Sequence, residues 1–118
     1  MGELTILLTA GTMMSTGPFK ALKLAEAALD RGHRVNLFCY GEGVTALRSK
    51  QAPRAFPNIA EMTATLMARG MQVAACRTCT GARGLEQADL VPGAIVGSIA
   101  REYMDFVARS DRVLMVTA

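Results

Sequence analysis

The chain has 118 residues, of which 51% are hydrophobic and 19% charged, enough apolar material for the core of one domain and too much for disorder. Its formal net charge of +3 is scattered, and with no Trp and only 5% aromatic residues it lacks a base-stacking platform, so no direct nucleic-acid partner is expected. No apolar run reaches the roughly 20 residues of a membrane span, and the apolar start over residues 4–10 follows Glu3 without the basic flank of a secretory signal, so a cytoplasmic single domain over 1–118, free of membrane, is expected.

Residues 4–9 (LTILLT) are a continuous β-prone apolar run, as in a strand buried on both faces. Residues 10–17 form a small-residue loop containing Met13 and Met14, and Pro18 stands where a first helical turn accepts proline. Phe19, Leu22, Ala25, Ala28 and Leu29 then recur at helical spacing, opposite Lys20, Lys23, Glu26 and Asp30, and Gly32 ends that helix. Residues 35–40 are a second strand, broken by Gly41, Glu42 and Gly43, with a short helix over 44–48. Two prolines make 49–57 a loop. Asn58 followed by Glu61 reads as a capping box, opening a helix that carries Ile59, Met62 and Leu66 inward and stops at Gly70. A third strand over 71–75 delivers Cys76, a short fourth covers 94–96, Ser98 caps a helix with Ile99, Tyr103, Phe106 and Val107 on one face, and 112–117 is the last strand.

Strands alternating with helices predict a mostly parallel sheet with helices on both faces, an α/β sandwich of three layers. The working crevice of such a sheet lies beyond the carboxyl ends of its strands. Those ends carry Gly11 and Thr12, Gly41 and Glu42, the run from Cys76 to Cys79, and Gly97 and Ser98. Glycine there allows a backbone to approach a ligand closely.

The Cys-x-x-Cys of Cys76 and Cys79 is the strongest chemical signal, because a cysteine thiolate is a nucleophile and this pair stands at a strand end. Arg77 and Arg83 bracket it, Thr78 and Thr80 add hydroxyls, and a helix starting there would offer free N–H groups, together a cradle for anionic sulfur. Cys76, held by the strand, is the expected primary nucleophile. A thioredoxin-like motif normally follows the first strand of a βαβ unit, not the third. A zinc site would need His33 or Cys39 as well, and Cys39 reads as core and His33 as a surface turn, so no metal is expected. The first loop has neither G-x-G-x-x-G nor a Walker lysine, so no nucleotide or other cofactor is expected; the free N–H groups of the loop and helix start leave a weaker anion site at Gly11 and Thr12.

Three segments resemble the DsrE/DsrF family of small sulfur-relay proteins: 35–44 (VNLFCYGEGV), 73–85 from Val73 through Cys76 to Arg83, Gly84 and Leu85, and 110–113 (SDRV). The resemblance implies a five-stranded sandwich assembled into trimers or hexamers of one or several chain types, without metal or organic cofactor, and with the high apolar fraction of so small a chain a homotrimer or homohexamer is expected. It implies that Cys76 accepts sulfane sulfur as a persulfide and passes it on by thiol exchange with donor and acceptor proteins, or with thiosulfate, tetrathionate or polysulfide. From the residues themselves, Cys79 is expected as a resolving or second carrier thiol, and Arg77, Thr78, Arg83, Gly11, Thr12 and Gly41 as substrate-binding residues. Two other readings remain open at this point: a thiol-disulfide redox protein using Cys76 and Cys79, and a relay-complex subunit without turnover of its own.

Overall fold

A computed structural model describes residues 2–118. The elements run β1 (Glu3–Leu8), α1 (Gly17–Asp30), β2 (Arg34–Cys39), a 3-10 helix (Gly41–Leu47), α2 (Ile59–Ala68), β3 (Gln72–Cys76), α3 (Arg77–Ala82), a 3-10 turn (Gln87–Asp89), β4 (Ile95–Gly97), a π-helical turn (Ile99–Tyr103), α4 (Met104–Arg109) and β5 (Arg112–Val116). The five strands form one parallel sheet in the order β4-β3-β2-β1-β5. The register aligns Leu8 with Cys39, Cys39 with Ala75, and Cys76 with Gly97, so the strands end together on one edge.

Alternation along the strands divides the core between two faces. On one face Ile6, Leu8, Leu37, Cys39, Val73 and Ala75 pack with Ala21, Leu22 and Ala25 of α1 and Ile59 and Leu66 of α2. On the other, Phe38, Ala74 and Cys76 pack against Phe106 of α4, with Leu7 and Tyr103 alongside. This is the expected three-layer α/β sandwich.

Two local signals hold as read. Pro18 lies in the first turn of α1. Asn58 caps α2, its side-chain oxygen accepting the Glu61 N–H at 3.0 Å. Three elements differ from the sequence expectation. The 3-10 helix begins at Gly41 rather than at residue 44. Residues 87–89, which carry no periodic signal, form a 3-10 turn closed by reciprocal bonds between Glu86 and Asp89. The helix after Ser98 starts with a π turn, whose extra residue rotates the pattern, so Ile99 is 37% exposed while Phe106 stays buried.

Candidate functional site

Cys76 is both the last residue of β3 and the N-cap of α3, with extended backbone at φ −66° and ψ 124°. Its side chain lies among Phe38, Ala74 and Phe106, and the residue is only 6% exposed. Cys79, one helical turn on, is partly exposed and packs against the same cluster beside Cys76. Its Sγ accepts the Gly41 N–H at 3.1 Å. Gly41 stands at φ +61°, a left-handed conformation that turns the chain sharply off the end of β2.

The next residue, Glu42, completes the site. Its Oε2 accepts from Arg83 Nε at 2.6 Å, while Arg83 Nη1 donates to the Cys79 carbonyl at 3.0 Å. One turn after β2 therefore offers an N–H to the sulfur of Cys79 and a carboxylate to the arginine beside it. Burial raises the Cys79 thiol above its ordinary pKa and the Cys76 thiol adds to the rise, while the Gly41 N–H and the Arg83 cation pull it back.

Gly11 and Thr12 reach this edge from β1. A Cβ on Gly11 would touch Thr45 Oγ1 and Glu42 Cβ, and the Thr12 N–H donates to Thr45 Oγ1 at 3.4 Å. The sheet thus gathers Gly11, Thr12, Gly41, Cys76, Cys79 and Arg83. Arg77 and Thr78 are exposed, and among the described residues neither makes a hydrogen bond to a thiol. Arg77 instead donates to the Val96 carbonyl at 3.2 Å, toward β4. The buried hydroxyl of the segment is that of Thr80, which bonds the Arg77 carbonyl at 3.0 Å.

Cys39 is fully buried on the opposite face from Cys76, and burial pushes its thiol far up, as expected of a core cysteine. His33 lies at the other end of the sheet, where its Nδ1 accepts the Gly2 N–H at 2.9 Å. Among the described residues no group of three or more His, Cys, Asp and Glu side chains converges as metal ligands would. An apolar hollow of about 340 Å³ between Met13, Met14, Phe19 and Phe56 has no titratable lining residue. Its lining includes Thr12, the neighbour of Gly11, and a Cβ on Gly11 would meet Met14 Sδ. Sequence reasoning missed Glu42 as a site residue, although a lone carboxylate between two glycines at a strand end is the available signal.

Comparison with known proteins gives a consistent picture. Residues 3–116 match the sequence model of the DsrE/DsrF-like family. An uncharacterized protein of Methanocaldococcus jannaschii is 31% identical over 112 residues, 95% of this chain and 97% of its own. The YchN protein of Escherichia coli K12 is 29% identical over 116 residues, 97% of this chain and 98% of its own. The crystal structure of E. coli YchN superposes with a TM-score of 0.89 over 98% of this chain and 99% of that one. A protein of unknown function from Methanobacterium thermoautotrophicum shares the fold at 15% identity, with a TM-score of 0.74 and full coverage of both chains. No described helix is long and apolar enough to cross a membrane.

Proposed function

The chain belongs to the DsrE/DsrF-like family, and from that premise we propose that it is a sulfur carrier of the reducing cytoplasm, where free thiols persist. The observation that carries this reading is the pair of neighbouring thiols at the carboxyl edge of the sheet, one sheltered and one partly open to solvent beside an N–H and a guanidinium. Although the sequence points to Cys76 as the primary nucleophile, Cys76 is sheltered, so the more open thiol, Cys79, makes the first exchange and Cys76 holds the sulfur. Its thiolate attacks the outer sulfur of a donor persulfide R–S–SH, the S–S bond breaks, and the donor departs as R–S⁻ with the bonding electron pair. The Cys76 thiolate then attacks the outer sulfur of Cys79–S–SH, giving Cys76–S–SH and returning Cys79 as thiolate. No electrons enter or leave the pair. The apolar surroundings of Cys76 keep water from the stored persulfide until an acceptor protein takes it. Thiosulfate and polysulfide are small donors of the same chemistry, with sulfite or the shortened polysulfide leaving; tetrathionate instead places a thiosulfonate group on the thiol, and thiosulfate leaves with the electron pair.

The carrier works as a homotrimer or homohexamer in which a second copy of this chain covers β5. Among the described residues that strand pairs with β1 alone, and Val113, Leu114 and Met115 on it are 40%, 41% and 63% exposed. It carries no proline or lysine to discourage edge pairing.

Incubation with polysulfide followed by intact-mass and peptide analysis tests the relay. Wild type is expected to gain sulfur on Cys76. Cys79→Ser is expected to load about tenfold more slowly, because the remaining thiol is sheltered, and Cys76→Ser to hold sulfur on Cys79, where added thiol strips it. A Cys76–Cys79 disulfide without sulfur gain would make the protein a redox one, and no change at all would make it a subunit without turnover.

A further inference from the structure

Arg83 sits four residues after Cys79, on the same helical face, with its guanidinium divided between Glu42 and the Cys79 carbonyl. Its Nε and Nη1 are engaged, and its Nη2 has no partner among the described residues. The side chains of Arg83 and Glu42 are 30% and 44% exposed, so the pair faces solvent beside the open thiol. A half-exposed pair of this kind contributes little to stability and yields readily to a competing anion. Guanidinium edges bind carboxylates and oxyanions in pairs of N–H bonds. An anionic group delivered to Cys79 therefore meets one cation that attracts it and one carboxylate already in its place.

We propose that Arg83 is the specificity-determining residue of the thiol site and that Glu42 is its internal competitor, so that the site exchanges with sulfur carriers bearing an anionic group near the reacting sulfur, which displaces Glu42 from Arg83. This rests on the sulfur-exchange reading and deepens it: Glu42 positions Arg83 while the site is empty and discriminates against neutral thiol reagents when it is engaged. The exchange itself is unchanged. The Cys79 thiolate attacks a sulfur of the incoming disulfide or persulfide, that S–S bond breaks, and the leaving thiolate carries off the electron pair.

The test compares two disulfides of opposite character, the dianion dithiobis(nitrobenzoate) and the neutral dithiodipyridine, in a Cys76→Ser background where Cys79 is the reporting thiol. Glu42→Gln is expected to speed the dianion about fivefold and to leave the neutral reagent within about twofold, since it removes a carboxylate without removing the arginine. Arg83→Met is expected to slow the dianion about tenfold, and Arg83→Lys to restore most of that loss by keeping the charge. Added salt is expected to slow the dianion in the parent and not in Arg83→Met. Equal changes for both reagents, or no change in either, would overturn the proposal, because a merely structural ion pair alters access for all reagents alike. Polysulfide loading of the wild type reads the relay separately. Loading with a flat reagent ratio defeats this inference alone, and a charge-dependent ratio without loading defeats the relay alone.

Discussion

Gly41 and Gly43 stand two residues apart and are glycine for different reasons. Gly41 needs its positive φ, and a side chain there would meet nothing. Gly43 has no such φ, but a Cβ on it would overlap the Leu8 carbonyl oxygen. That atom belongs to β1 and accepts the Tyr40 N–H at 2.9 Å, so it has nowhere to move. Gly43→Ala is expected to cost about 3 kcal/mol, by forced displacement of packed backbone, and a urea midpoint measures it. Gly41→Ala is expected to cost about 1 kcal/mol from left-handed strain alone and to lengthen the bond to Cys79, so thiol reactivity should fall further than stability. The thiols and Arg83 were legible in the sequence because their chemistry announces them. Glu42 was not, since its partner is supplied by the adjacency of β2 and β3 and lies 41 residues away. Arg77 reaches toward β4 for a helical reason: a neighbour in sequence is turned about 100° around the axis, whereas Cys79 and Arg83 share a face.

Among the elements, those with local punctuation were readable. Asn58 is the clearest case: besides capping Glu61, its Nδ2 donates to the Gln51 carbonyl at 3.2 Å and ties the preceding loop to α2. Asn58→Ala is expected to cost about 1 kcal/mol, visible as a lowered thermal midpoint, with Asn58→Asp keeping the cap and losing only the loop contact. β1, α1, β2 and β3 were equally plain, as continuous apolar runs and one amphipathic face. The segment after Ser98 was not, because a π turn breaks the 3.6-residue period on which the reading depends. What the turn achieves is placement: Phe106 and Tyr103 arrive over Phe38 and Cys76, with the rings of Phe38 and Tyr103 5.2 Å apart. Tyr103→Ala should open the shelter of Cys76 and speed its alkylation, read by mass spectrometry against Cys79.

At the scale of the whole molecule, the sheet is finished on one side and unfinished on the other. β4 is three residues long, too short to recruit another chain, while β5 presents five residues with three exposed apolar side chains. Light scattering at micromolar concentration is expected to give a trimer or hexamer. Leu114→Lys together with Met115→Lys should reduce it to smaller species while leaving the circular dichroism spectrum unchanged; a wild-type monomer would remove the assembly proposal. Cys39 adds a limit of another kind. Below the ordinary thiol range the folded and the unfolded chain both keep its proton. From about pH 8.5 upward the unfolded chain loses it while the core retains it, so each further pH unit favours unfolding by about 1.4 kcal/mol until the core thiol also ionises. Thermal midpoints are therefore expected to decline on the alkaline side, and less steeply in Cys39→Val. The same thiol is a stopwatch in place: a reagent that modifies Cys79 within seconds must wait for Cys39 until the chain opens, so the slow phase of thiol labelling times the opening of the native fold.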